Sequence, residues 1–374
     1  MKPNIVIAIN SGEQLGGVER HVGDIVKGLS NEFSFTIVCK DGPMVKEYLA
    51  NGASFVELYP RFDFDPFYQL RLLKLLRSLN PTAIHAHELK AGFNAMLAGF
   101  IANVPVRIYH VHTPIREWQL AIWKKLTFGR LNLLVNWFTG NFLATKVIAL
   151  TNVIKKERME LEGIKESKII IIPNGVDAVP ATVDKKTLGK NVRKEWGVEE
   201  KEFVIGNIGR LTVEKGHEVL IKAFATLLLE KPDCYLVLAG DGILRNYLEN
   251  LCKKIGVFSR VEFLGSFESS QKYKILAGFD IFVSPSLAEG FGISLIEAMG
   301  AKIPVLASNL PVFRDVGKDT IEYFKRGDSE DLAEKIVNFK HNEEKIKEAY
   351  NLVIKTYSME KFLDSYKKLY LSLL

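Results

Sequence analysis

The sequence predicts an α/β protein of two tandem, Rossmann-like, doubly wound parallel-sheet domains facing across a cleft. Three observations carry this. Short β-rich runs alternate with helical periods almost throughout. The runs are apolar on both faces, as parallel strands covered by helices must be. The alternation also stops at a polar tract, 174–202, and then restarts.

With 374 residues, the chain has room for two or three domains at about 150 residues each. Its 47% hydrophobic and 25% charged residues are those of an ordinary globular protein. The net charge of +6 suits anionic ligands or a membrane surface as well as a merely basic protein. Cys39, Cys234 and Cys252 are unclustered, which excludes a disulfide framework and a CxxC metal motif and suggests a reducing compartment. No uninterrupted apolar run reaches the roughly 18 residues of a membrane span. The opening MKPNIVIAIN reads as a first buried strand rather than a signal peptide.

In the first half, strands are expected at 5–9, 35–38, 54–58, 82–87, 106–111, 146–150 and 168–172, with helices such as 18–29 and 67–79 between them. The tract NGVDAVPATVDKKTLGKNVRKEWGVEEKE has no sustained apolar period and reads as linker and entry to the second domain. Strands then recur in FVIGNIG, CYLVLAG, VEFLG, DIFVSP and IPVLAS. The expected boundaries are 1–178, 179–355 and a terminal helix, 356–374, crossing back to the first domain. That helix carries Phe362, Tyr366, Leu369 and Leu373 on one stripe.

Ligands of doubly wound sheets bind outside the carboxyl ends of the strands, and three glycine-bearing turns fall there. In NSGEQLGGVERHV, Gly16 and Gly17 permit close backbone approach, and the following helix aims its N-terminal amides at that place. The spacing matches neither GxGxxG nor GxxxxGK[ST]. In NIGRLTVEKGHEVL, Arg210 offers a planar fork and Lys215 a point charge, a pair suited to a diphosphate. In AEGFGISLIEAMG, residues Gly290, Phe291, Gly292 and Ile293 form a turn into a helix whose free amides can hold an anion. Glu289 and Glu297 flank that turn. A carboxylate beside an anion site is a poor anion ligand but a good bidentate acceptor for paired sugar hydroxyls. Glutamates solvated or favoured by the first helical turn are the plainer alternative.

In order and spacing, GGVER (16–20), HVHTP (110–114), IIPNGVD (171–177), GRLTVEKG (209–216), AGDG (239–242), VEFLGSF (261–267) and SLAEGFGISLIEAMGAKIPVLAS (286–308) resemble the retaining GT-B glycosyltransferases of family 4. The Glu289/Glu297 pair is similar to that family's E-x7-E motif; GAKIPV departs from its commoner ACGTPV-like wording. The resemblance covers nearly the whole chain. It implies an acceptor-binding first domain and a nucleotide-sugar donor held mostly by the second, across the cleft. By it, Arg210 and Lys215 hold the diphosphate with the Gly16–Gly17 backbone, Glu297 the ribose, Glu289 the transferred sugar, and Gly265, Ser266 and Phe267 the base. It implies no metal, because the cations and helix termini stabilise the leaving group. It implies front-face departure and attack, with the leaving phosphate oxygen helping to deprotonate the acceptor and no enzymic nucleophile.

HAHE (85–88) and HVH (110–112) each place two histidines on one strand face. Two such pairs can build a metal site, but no fourth-ligand pattern stands out and no metal is expected. His112 matches the family's active-site histidine, with His110 the alternative in an alignment open by two residues. His87 is read chiefly as core or cleft lining.

The segment after His112 carries Trp118, Ile122, Leu126, Leu133 and Trp137 at helical spacing among Arg116, Lys124, Lys125 and Arg130. It suits either an anionic bilayer surface or ordinary packing on the sheet. HTPIREW is similar to wording in some polysaccharide mannosyltransferases, which leans toward GDP-mannose; a UDP-sugar is the other donor considered. The expectation is a cytoplasmic enzyme, peripheral on the inner membrane face, that extends a surface glycan or lipid-linked saccharide and has no nucleic-acid partner. The alternatives are an epimerase- or phosphorylase-type GT-B enzyme and a non-catalytic nucleotide-sugar-binding protein.

Overall fold

The computed structural model describes residues 2–12, 17–112, 131–179 and 184–373. Contacts divide the chain into two units, Met1–Gly175 with Glu360–Leu374, and Val176–Met359.

In the first unit, β1 (Asn4–Ser11), β2 (Ser34–Lys40), β3 (Ser54–Glu57), β4 (Ala83–His87), β5 (Val106–His110), β6 (Lys146–Ala149) and β7 (Ile169–Ile171) form one sheet. Their order is β3-β2-β1-β4-β5-β6-β7, and every pairing is parallel. Order reverses between β1 and β4, the switch point where such sheets open a ligand crevice at their carboxyl ends. Ile5 to Ile9 are at most 1% exposed, so both faces of β1 are covered. Between the strands run α1 (Gly17–Leu29), α2 (Pro43–Ala50), α3 (Pro66–Leu79), α4 (Leu89–Ile101) and α5 (Asn152–Glu160); 131–138 is also helical. The α3 boundaries are written in its sequence. Asp65 caps it by accepting from Tyr68 N at 3.0 Å, Pro66 opens it, and Asn80 closes it in the left-handed region.

The second unit has β8 (Phe203–Ile208), β9 (Cys234–Ala239), β10 (Val261–Gly265), β11 (Ile281–Ser284), β12 (Val305–Ser308) and β13 (Glu322–Phe324) in the order β10-β9-β8-β11-β12-β13. Its switch point lies between β8 and β11, which pair in parallel. The helices are α6 (Lys185–Glu195), α7 (His217–Glu230), α8 (Arg245–Lys254), α9 (Lys272–Ala277), α10 (Ile293–Gly300), α11 (Pro311–Gly317), α12 (Ser329–Val337) and α13 (Glu343–Leu352). One core joins Leu220, Phe224 and Leu227 of α7 to Leu236 and Leu238 of β9.

Three features differ from the sequence reading, the first being β13, which was not expected. The polar tract contains α6, capped by Asp184, which accepts from Thr187 N at 3.1 Å. Only Gly189 and Val192 are buried on it, too few to mark a period. On the last helix, α14 (Met359–Leu373), Tyr370 is buried where Leu373 was expected, beside Phe362, Tyr366 and Leu369. This helix belongs to the first unit and lies close to α1. A Cβ on Gly28 would stand 2.4 Å from Leu363 Cδ1. The three cysteines are buried and free.

Candidate active site

In the second unit, the turns after β8 and β11 leave the carboxyl ends of neighbouring strands at the switch point. Backbone bonds tie them together: Leu287 N and Ala288 N both donate to Glu214 O, at 2.8 and 3.2 Å. Gly216 makes the close approach possible. Its φ is +67°, and a Cβ there would stand 2.1 Å from Pro285 O. The short turn Val213–Lys215 thereby brings Lys215 against Glu289, whose Oε1 accepts from Lys215 Nζ. Ser286 Oγ donates to the same oxygen at 3.5 Å. The pair is mostly shielded, with side chains 22% and 12% exposed, whereas Arg210 is 60% exposed, its Nη2 3.6 Å from Glu214 Oε1. An exposed guanidinium and a semi-buried ammonium thus share one strand end.

Gly290 is half-buried and Phe291 buried, its ring edge-on to Tyr357 at 5.7 Å. Gly292, at φ +94°, caps α10 without a side chain over its amides, and Ile293 begins the helix. Glu297 is 6% exposed and accepts from Lys272 Nζ through Oε1. Lys272 was missed in the sequence, because nothing in QKYKIL marks one lysine from another. Gly265, at φ +73°, accepts from Gly240 N at 2.9 Å at the end of β10. Ser266 beyond it is exposed and Phe267 half-buried. His217 opens α7 fully buried. Its Nε2 donates to Asn207 Oδ1 at 2.9 Å, and burial holds its pKa down at about 4.

The first unit assembles histidines at its own switch point. Gly16 lies outside the described residues; Gly17 is exposed at the start of α1. One turn on, His21 is buried, with Nδ1 2.8 Å from Asn174 Oδ1 and Nε2 2.9 Å from Tyr366 Oη on α14. His87 and His110 are register partners at the ends of β4 and β5. His87 Nδ1 lies 2.9 Å from Nε2 of half-buried His112. His85 Nδ1 lies 2.9 Å from Tyr370 Oη. One ring nitrogen each from His21, His87, His110 and His112 lies within 4.8 Å of the others. Burial holds His21 down at about 4, the Asn174 bond acting the other way. Burial, and after it the surrounding imidazoles, hold His87, His110 and His112 well below the ordinary imidazole value. After His87 the chain turns through Glu88 at φ 63° and ψ 171°, a conformation almost confined to glycine. Glu88 accepts from Asn10 Nδ2, and its own N donates to His110 O at 2.8 Å. His21 sits in the GGVERHV stretch, but no spacing rule links it to strands so distant in sequence.

Trp118, Ile122, Leu126, Arg116, Lys124, Lys125 and Arg130 lie outside the described residues, and Leu133 is half-buried. Beyond them Leu131, Leu134, Trp137, Phe138 and Phe142 are 40–59% exposed.

Two doubly wound parallel-sheet units in tandem are the architecture of the GT-B glycosyltransferases. Residues 15–179 match the family described as Glycosyltransferase Family 4, and residues 190–356 match Glycosyl transferases group 1. The chain belongs to the group 1 glycosyltransferases. It is 34% identical over 185 residues to an uncharacterized glycosyltransferase of Methanocaldococcus jannaschii, covering 49% of this chain and 47% of that relative, about half its length. It is 29% identical over 309 residues, 79% of this chain and 77% of the relative, to an Escherichia coli UDP-Gal:alpha-D-GlcNAc-diphosphoundecaprenol alpha-1,3-galactosyltransferase. Among solved structures, Anabaena HepE in complex with UDP superposes with a TM-score of 0.83 at 22% identity, over 100% of both chains. That likeness establishes the fold.

Proposed function

We propose that the chain is a retaining, metal-independent hexosyltransferase. It would move a sugar from a nucleoside-diphosphate sugar to a glycan or lipid-linked saccharide of the cell surface. The observation that carries this is the joining of Lys215 to Glu289 across two turns stitched at one switch point. Without a ligand the ammonium and carboxylate satisfy each other. With a donor bound, Lys215 and Arg210 turn to the diphosphate and Glu289 is released to the transferred hexose. Glu297, freed from Lys272, takes the ribose, and the backbone at Gly265–Phe267 the base. The α10 amides at Gly292 and Ile293 add a positive dipole end. Together these groups stabilise the leaving diphosphate, so no metal is required there. The departing phosphate oxygen takes the proton of the attacking hydroxyl on the same face, which retains the anomeric configuration. In the first unit, His112 is the proposed active-site histidine.

UDP is the favoured nucleotide, because the E. coli relative is named for UDP-Gal and the Anabaena structure holds UDP. The HTPIREW wording keeps GDP-mannose as the competing donor. The exposed apolar residues at 131–142 support seating on a membrane surface, where lipid-linked acceptors reside.

Thermal-shift and calorimetric titration with UDP, GDP, ADP and their sugars tests the reading. A ligand at 100 times its dissociation constant adds about 2.7 kcal/mol to the unit that binds it. Stabilisation by a nucleotide sugar, followed by transfer that needs no added magnesium or manganese, is the expected result. A free sugar isomer formed without acceptor would favour an epimerase, and no stabilisation by any nucleotide would overturn the reading.

A further inference from the structure

We propose that His21, His87, His110 and His112 hold a late first-row divalent metal ion, zinc by default, in an all-imidazole site inside the first unit. The H-x-H pairs of the sequence lacked a fourth partner; the fold supplies it as His21 from α1. All six ring pairs among the four have centroids 3.9 to 5.5 Å apart. Their ligating nitrogens already fall within 4.8 Å of one another. A tetrahedral ion at a Zn–N distance of about 2.0–2.1 Å requires the rings to reorient and draw closer.

The second observation is unmet bonding capacity. His87 Nε2 and His110 Nε2 are buried with no hydrogen-bond partner among the described residues. Leaving such a nitrogen buried and unpaired is costly, and metal ligation removes that cost. The surroundings set the tautomers as metal sites do. Asn174 Oδ1 can only accept, so His21 carries its proton on Nδ1 and keeps a lone pair on Nε2. Tyr366 Oη, 2.9 Å from that nitrogen and 3.4 Å from His110 Nδ1, can turn to accept from His110 and release His21. His110 then also presents Nε2 as a lone pair. His87 Nδ1 and His112 Nε2 share one proton at 2.9 Å, so both rings ligate only when the ion displaces that bond and each ring turns a lone pair to it.

Four imidazoles with no carboxylate suit zinc, cobalt, nickel or copper and disfavour magnesium and calcium, which seek oxygen. Arg158, the cation acting on His112, is itself paired with buried Glu162. The ion would be structural: it ties α1 to the ends of β4 and β5 and fixes the orientation of His112. It has no part in holding the diphosphate, and its binding is measurable without any donor.

The test uses untagged full-length chain purified without chelator. Elemental analysis is expected to find a stoichiometric late transition metal. The stripped chain, titrated with Co²⁺, should develop the visible ligand-field bands of a nitrogen-ligated tetrahedral ion. His87→Asn and His110→Asn should each lose the metal and the bands, while His341→Ala, at an exposed site, keeps both. Circular dichroism and the second unit's nucleotide-induced thermal shift report whether each variant has folded. A wild-type chain that is metal-free and gives no Co²⁺ bands overturns the proposal, whatever the variants do. So does full metal content in folded His87→Asn and His110→Asn. Either result leaves the transferase reading standing, since that is decided by sugar transfer.

Discussion

Lys215 and Glu289 show why a single side chain acquires meaning only from its partner. The sequence separates them widely, yet the fold brings their charges into contact, semi-buried, at one strand end. Lys215→Ala or Arg210→Ala is expected to weaken transition-state binding by roughly 2–4 kcal/mol, read as kcat/KM for donor turnover. Unchanged turnover would remove both from the diphosphate. His217 gives a second consequence at this scale. Its folded pKa of about 4 lies below the model-peptide value of 6.5, so the unfolded chain binds the proton more readily. The stability it contributes is whole above pH 6.5 and is lost as pH falls toward 4. The gap of about 2.5 corresponds to about 3 kcal/mol at 1.36 kcal/mol per unit. Urea melts of His217→Gln should show a correspondingly shallower decline across that window; an identical decline would assign the acid sensitivity elsewhere.

At the scale of elements, the β8–α7 turn sets where the cations stand. Gly216 is its critical residue, because only glycine accepts both the left-handed backbone and the contact with Pro285 O. Gly216→Ala should cost about 2–4 kcal/mol and weaken nucleotide binding together, as seen by urea denaturation and calorimetry. A neutral effect on both would mean the turn relaxes without moving Lys215. The helix α14 works differently. Phe362, Tyr366, Leu369 and Tyr370 complete the first unit's core, and Tyr366 also reaches His21 and His110. A segment at the end of the chain therefore lines the site built by its beginning.

For the whole molecule, the proposed membrane contact rests on the net charge of +6 and the exposed Leu131, Leu134, Trp137, Phe138 and Phe142. No helix among the described residues is long and apolar enough to cross a membrane. Flotation should carry the chain upward with vesicles containing phosphatidylglycerol, less so as salt rises, and far less after Trp137→Ser with Phe138→Ser. Equal flotation with neutral vesicles would refute an electrostatic surface contact.

The sequence by itself determined the α/β class, nearly every strand, and the glycine-bearing turns after β8 and β11, because strand burial and turn chemistry are local and periodic. It also singled out Arg210, Lys215, Glu289 and Glu297 as candidates, since each stands beside a strand end or helix start that short-range pattern reveals. It could not reveal α6, whose mostly solvated surface leaves no period, or β13, three residues long. Tertiary structure alone decided that Lys215 meets Glu289, that Lys272 meets Glu297, and that His21, Asn174 and Tyr366 join the strand-end histidines. Those pairings depend on which strands become neighbours at the switch points. That choice is made by packing across the sheet and leaves no trace in the spacing of residues along the chain.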